Sequence, residues 1–324
     1  MSRDYTYAVA RIRAKEMSLL GNAAMEQLLA ARSCDEALRL LADRGWGNPD
    51  EELTADNMLA AETKKTWSLI GEMVKDMSVF DVFRITDDYH NLKAAVKLAC
   101  TGAKVDASRV FVDGGTIDPE KMRQAAQQKD FSALPPEMAR AGEEARDVLL
   151  HTGDGQLCDI ILDRAGPTAM YQAGKKAENE VIREYAVLTV VAADIKIAVR
   201  CGQLGKPLDF VERALVPVEE LDLAALARAA LAGGDSVAEY LMNTDYAPAA
   251  AALKESFTAF ERWCDNLIIE HIKPQKVNPF TAGPLAAYIL ARKNEIKCVR
   301  MVLSGKQSGL PDEIIRERLR EMYV

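Results

Sequence analysis

Three segments of this chain repeat one pattern at nearly equal intervals, and that regularity limits the fold more than any single motif. NLKAAVKLACTGAKVD (91–106), DIKIAVRCGQLGKPLD (194–209) and EIKCVRMVLSGKQSGLPD (295–312) share an order of features. Each runs from a polar residue through Leu or Ile and Lys into a helical stretch, a glycine-containing break and an aspartate that opens a new helix. The closing aspartates Asp106, Asp209 and Asp312 recur every 103 residues, while Lys93, Lys196 and Lys297 are spaced 103 and 101 because the third copy carries two extra residues near its glycines. Self-similarity at a fixed period is the signature of a reused structural unit. The 324 residues are therefore expected to form three modules, at 1–117, 118–216 and 217–324. A weaker echo agrees: MEQLLAARSCDEALRLLADRGW (25–46) and LAALARAALAGGDSVAEYLMNTDY (223–246) both read as a Leu-rich run, a break and a second helix ending in an aromatic residue.

The repeated unit is helical. Ala, Leu, Glu, Lys, Arg and Met fill most windows, all of them good helix formers, whereas β-branched alternation is scarce and Val110–Val112 is the only short strand candidate. Apolar stripes at helical spacing run through Met17, Leu20, Ala24 and Leu28, through Leu188, Val191, Ile195 and Ala198, and through Leu285, Ile289, Ile296, Val299 and Leu303. Helix stops are expected at Gly45–Asp50, Gly102–Lys104, Gly114–Pro119, Pro135–Pro136, Gly202–Pro207, Gly233–Gly234, Pro274–Pro284 and Ser304–Pro311. Asp106 and Asp209 have the chemistry of N-caps, and Pro311 with Asp312 and Glu313 fits a first helical turn. The fold class is all-α, with structural rather than catalytic aspartates.

Composition removes several functions. With 41 Lys+Arg against 49 Asp+Glu, the net charge of −8 is the wrong sign for a chain whose main partner is nucleic acid or an anionic lipid surface. The six cysteines, Cys34, Cys100, Cys158, Cys201, Cys264 and Cys298, form no CxxC, which points to reduced thiols packed in a core and a cytoplasmic setting. The longest apolar stretch, Ala186–Ala193, is far short of a bilayer span.

Catalytic signatures are equally thin. His90, His151 and His271 lie in separate segments with no HExxH pairing. Ser304-Gly305-Lys306-Gln307 lacks the leading glycine and the Ser or Thr of a phosphate loop, and Gly153-Asp154-Gly155 reads as a helix break rather than a dinucleotide fingerprint. Glu143-Glu144 and Glu219-Glu220 are adjacent pairs that do not face each other, and Trp46, Trp67 and Trp263 read as packing residues. No catalytic, cofactor-binding or metal-ligating residues are expected.

One feature resists a purely structural reading. Lys93/Lys97, Lys196/Arg200 and Lys293/Lys297 each put two like charges four apart on one helix face, at a cost of a few tenths of a kcal/mol. They are either a solvated face near helix C-termini, where cations are favoured, or they meet carboxylates of a neighbouring module or a partner. Together with Arg300 they are the candidate interface residues.

The segments VFRITDDYHNLKAAVKLA (82–99), VLTVVAADIKIAVRCGQLGKPLD (187–209) and NPFTAGPLAAYILARKNEIKCVRMVLSGKQSGLPDEIIRERLREMYV (278–324) resemble the C component of archaeal and bacterial V/A-type rotary ATPases, whose eukaryotic counterpart is called the d component. YAVARIRAKEMSLL (7–20) is similar too, so the resemblance spans the chain. Its most specific parts are Asp88-Tyr89-His90-Asn91-Leu92-Lys93 and the pattern of Tyr288, Glu295-Ile296-Lys297, Arg300, Gly305-Lys306, Gly309-Leu310-Pro311 and Glu317-Arg318-Leu319. The middle copy departs from it, with Ala192-Ala193-Asp194-Ile195-Lys196 in place of the fuller first pattern. The resemblance implies a funnel of three helical modules about a pseudo-threefold axis. It also implies a non-catalytic, cofactor-free rotor subunit on the cytoplasmic face of the membrane. Its implied partners are the axle subunits D and F and the proteolipid ring. A helical adaptor of another complex would share every compositional feature. An enzyme would need a deep pocket of converging titratable groups.

Overall fold

The computed structural model describes residues 5–103 and 110–324. Asp106 and Lys104 lie outside the described residues. In chain order the helices are α1 (Thr6–Glu16), α2 (Asn22–Leu29), α3 (Cys34–Asp43), α4 (Ala55–Met73), α5 (Ile85–Thr101), α6 (Pro119–Gln128), α7 (Pro136–Thr152) and α8 (Gly155–Lys175). They continue with α9 (Glu180–Gln203), α10 (Leu208–Ala214), α11 (Leu223–Ala232), α12 (Gly234–Leu241), α13 (Ala247–Glu255), α14 (Phe257–Ile272), α15 (Gly283–Gln307) and α16 (Asp312–Arg316). Short 3₁₀ turns cover Met77–Phe83 and Lys273–Val277. The described residues contain no strand, and Val110–Val112 forms turn and irregular backbone instead. Three β-formers cannot hold a strand without a partner to complete their hydrogen bonds.

Two compact units emerge. One comprises the chain up to Met77, residues 179–182 and Ala251–Val324. Its axis is α15, a helix of about 37 Å at 1.5 Å per residue, which packs against α1, α2, α3, α4, α14 and α16. Leu28, Leu41, Met58, Leu59, Val302 and Ile315 form its core, and full burial of such side chains stabilises by roughly 1.5–3 kcal/mol each. Gly305 lets Ile315 lie against α15, since a Cβ there would meet the Ile315 side chain at 2.6 Å.

The other unit comprises Ser78–Glu178 and Arg183–Ala250. There α5 packs on α6, α7 and α8 around Leu92, Val96, Met122, Phe131, Cys158 and Leu162. The approach of α5 to α8 is close because position 166 has no side chain: a Cβ on Gly166 would sit 2.9 Å from Tyr89 Cβ. Of the six thiols, Cys158, Cys201, Cys264 and Cys298 are buried packing atoms.

The three similar segments share local geometry. Each long repeat helix is closed by a glycine with left-handed backbone, Gly102 (φ 63°), Gly205 (φ 61°) and Gly309 (φ 65°), a conformation that penalises any side chain. In the second and third copies the amide after the glycine donates back five residues, Lys206 N–H to Cys201 O and Leu310 N–H to Gly305 O, both at 2.9 Å. The echo at 25–46 and 223–246 also takes shape, as the short pairs α2/α3 and α11/α12.

Several local expectations change. The stripe through Met17, Leu20, Ala24 and Leu28 is not one helix: α1 ends at Glu16, Met17 is exposed, and α2 begins after Gly21. The Leu20 amide leaves the helical ladder to donate to the buried Glu295 carboxylate. Asp209 is not an N-cap, since Pro207 takes that position and Asp209 lies in the first turn of α10. Pro311 and Asp312 have the same relation to α16. Ser304–Gln307 continues α15.

Candidate functional site

Three of the six paired basic residues, Lys93, Lys97 and Lys297, meet carboxylates on other helices. Lys93 Nζ lies 2.6 Å from Asp163 Oδ1, and Lys97 Nζ lies 2.6 Å from Asp159 Oδ1. Two lysines four apart on α5 thus face two aspartates four apart on the antiparallel α8, which removes the like-charge penalty read from sequence. In the third copy Lys297 pairs with Asp265 of α14, a carboxylate shared with Arg320 at 2.6 Å. Lys293 is half-buried and engaged. In the middle copy Lys196 makes no ion pair with a described residue, while Arg200 is exposed and engaged. Arg300 is exposed on α15.

The residue that opens each copy proves more consequential than the lysines. Asn91, Asp194 and Glu295 occupy one repeat position, and all three are buried. Each holds a distant backbone amide. Val112 N–H donates to Asn91 Oδ1 at 2.8 Å, and Asn91 Nδ2 returns a bond to Val112 O at 3.0 Å. Val216 N–H donates to Asp194 Oδ1 at 2.8 Å, and Leu20 N–H donates to Glu295 Oε1. In the first two copies the grip falls 21 and 22 residues downstream, beyond the glycine that closes the repeat helix.

Their electrostatics differ. Asn91 is neutral and satisfied on both polar atoms. Asp194 Oδ2 is buried without a hydrogen-bond partner, and burial pushes this carboxyl up to about 7 against the opposing pull of the Val216 amide and the Arg164 charge. Burial likewise raises Glu295 to about 7, opposed chiefly by Arg292. Arg292 is itself buried and bridges Glu295 and Glu62. Its guanidinium lies over the Trp46 ring, 4.9 Å from the centroid. Glu62 also accepts from Gly47 N–H at 2.9 Å and Lys65 Nζ at 2.7 Å, so this buried network ties α4, α15 and the 46–47 turn together. A signal for the trio existed in the sequence: a polar residue in the register of an apolar stripe, at the same place in all three copies.

Other candidates take structural positions. Asp154 caps α8 through Gln156 N–H (2.8 Å) and Leu157 N–H (3.2 Å). Glu219 accepts from Lys175 Nζ at 2.9 Å, and Glu220 from the Tyr171 hydroxyl at 2.8 Å. Asp88 holds Thr116 N–H (2.8 Å) and Ile117 N–H (3.0 Å). His90, His151 and His271 are exposed. Among the described residues no three His, Cys, Asp or Glu side chains are grouped to hold a metal, and no helix is long and apolar enough to cross a membrane.

These features define a helical structural component in which buried polar groups fasten distant segments to one another. The sequence model of the ATP synthase (C/AC39) subunit matches residues 8–318, and the chain belongs to that family. It is a structural, peripheral subunit of a multisubunit A/V-type rotary ATPase and not one of its catalytic chains. Among its relatives is the C component of the A-type ATP synthase of Methanocaldococcus jannaschii, 23% identical over 97% of this chain and 86% of the relative. The corresponding component of the V-type ATP synthase of Thermus thermophilus is 22% identical over 98% and 99%. That of the V-type sodium ATPase of Enterococcus hirae is 20% identical over 96% and 97%.

Proposed function

We propose that this chain is the central-stalk coupler of its ATPase. It joins the axle subunits D and F to the proteolipid ring on the cytoplasmic face and carries torque between ion flow and ATP turnover. The eukaryotic d component is its counterpart in this reading. The observation that carries the proposal is the family match over residues 8–318. Physical support comes from the way the helices are fixed. A torque-bearing part must resist shear between helices, and buried grips on distant amides resist it better than apolar contact alone, since an amide pulled off a buried acceptor is left unpaired.

The three-module division at 1–117, 118–216 and 217–324 belongs to the same proposal, supported by the matched glycines and the matched buried polar residues. With those borders, the Lys93–Asp163 and Lys97–Asp159 pairs join the first module to the second, while Lys297–Asp265 lies within the third.

Reconstitution tests the coupling role. The full chain should bind both the isolated axle pair and the isolated ring, and an assembly lacking it should hydrolyse ATP without moving ions. Binding to neither, or coupled transport in its absence, refutes the proposal.

A further inference from the structure

Within the unit formed by Ser78–Glu178 and Arg183–Ala250, α7 and α8 border an open trough of about 590 Å³. Two parallel ridges of α8 face it. Ile161, Ala165 and Ala169 make a half-buried apolar ridge, and Arg164, Thr168 and Gln172, continued by Lys176 at the C-cap, make a polar one beside it. Residues four apart stack along a helix face, so the polar ridge extends about 18 Å, or about three helical turns. The small side chains at 165 and 169 leave room for a second helix to seat along the apolar ridge.

The charge of the trough runs against that of the chain. Arg164, Lys176 and Arg213 all line it, and none forms an ion pair with a described residue. Arg164 stands close enough for the buried Asp194 to sense its charge, without contact. Nearby cations are accounted for: Lys175 is held by Glu219, and Arg140 by Glu137. Among the described residues, Glu144 is the one unpaired carboxylate on the lining. Three free cations against one free carboxylate, in a chain of net charge −8, form a local field that selects acidic partners. Arg164 and Lys176 stand about three turns apart along α8, with Arg213 of α10 as the third cation on the lining, a spread that fits a row of carboxylates and not a single phosphate.

We propose that this trough docks an acidic amphipathic helix of another protein of the assembly, apolar face on the 161–165–169 ridge and carboxylates toward Arg164, Lys176 and Arg213. This is the helix-in-groove mode of recognition. The proposal rests on reading the chain as the coupling subunit and names one surface by which it would couple.

The test is acetylation of Lys176, followed by mass spectrometry, in the free full-length chain and in the assembly reconstituted with axle and ring subunits. Protection of at least about fivefold on assembly is expected. The K176E/R213E variant, which alters exposed side chains, should melt with the wild type yet enter the assembly with at least about tenfold lower affinity at low salt, with K176Q/R213Q intermediate. Equal acetylation of Lys176 in the free and assembled chain overturns the proposal even when assembly succeeds. So does protection of the free chain by inorganic phosphate alone, which would mark a small-anion site, or protection that grows with the concentration of the chain alone, which would mark a second copy. A chain that never enters the assembly overturns the coupling role and this docking surface with it, a result distinct from assembly with Lys176 exposed.

Discussion

Replacing Asp194 by Asn should stabilise the protein, and by an amount that grows with pH. The buried carboxyl titrates near 7 in the folded chain and near 3.9 when unfolded. The folded state therefore binds this proton more tightly, so the stability that protonation supplies is intact below about pH 4 and is lost as pH rises through about 7. Linkage between these two values gives a penalty of about 0.5 kcal/mol at pH 4 and about 4 kcal/mol at pH 8. An asparagine keeps the Oδ1 acceptor for Val216 N–H and carries no charge to desolvate. The first copy already holds this arrangement in Asn91, whose Nδ2 donates to Val112 O at 3.0 Å. At about 2–4 °C per kcal/mol for a unit of this size, Asp194→Asn should raise the melting temperature of the unit formed by Ser78–Glu178 and Arg183–Ala250 by about 8–16 °C at pH 8 and by no more than about 2 °C at pH 4. Thermal melts followed by circular dichroism at the two pH values measure both. A variant that melts with the wild type at pH 8, or one whose gain is the same at both pH values, refutes the reasoning.

Three further perturbations probe the rest of the framework. Arg292→Ala leaves Glu295 without its cation in the core and Glu62 with Lys65 alone, and should cost about 3–5 kcal/mol in urea unfolding, whereas E62Q/R292M/E295Q should recover most of it; equal loss in both would show that the network's charges are not what matters. Gly205→Ala should cost about 1–2 kcal/mol from the left-handed backbone alone, and the same change at Gly102 should cost a similar amount; no loss at either would remove the glycines from the repeat's architecture. Lys93→Asp should lower stability by about 0.2–1 kcal/mol or somewhat more through repulsion from Asp163, with Asp163→Lys restoring it in the double variant; additive losses would mean that the pair carries no coupling.

The helical class and many of the helix stops were legible because they depend on local properties, such as glycine breaks, apolar stripes and helix formers, that a linear pattern displays. What escaped was set by packing between distant segments. Met17 to Leu28 has the spacing of one helix, yet its backbone opens where Leu20 N–H meets the carboxylate of Glu295, 275 residues away. The Lys93/Lys97 pair was recognisable as a puzzle, but Asp163 and Asp159 became its answer only when α5 and α8 packed antiparallel in the register that aligns them. Asp209 had the chemistry of a cap and lost the position to Pro207, one turn geometry displacing another.

The opening position of the repeat shows how one structural device tolerates three chemistries. Asn91 grips its amide as a neutral group and needs nothing more. Asp194 keeps the grip but adds a charge, and with only Val216 N–H in contact and Arg164 at a distance it lies near 7 with one oxygen unpaired. Glu295 adds a methylene that carries its carboxylate to a different stretch of backbone, Leu20, and there Arg292, Glu62 and Lys65 form a compensating network. The cost of burying a charge is large unless it is paired, so the surroundings of the three copies should diverge most where this residue becomes an acid. That is the pattern seen: the first grip is self-contained, the second is incomplete, and the third draws on α4, α15 and the 46–47 turn at once. The middle copy is therefore the weak joint of the three. If stiffness between helices is what this protein supplies, local opening of α9 around Asp194 should be the lowest-energy excursion among the three grips, and amide exchange of Val216 at pH 8 should be faster than that of Val112 or Leu20.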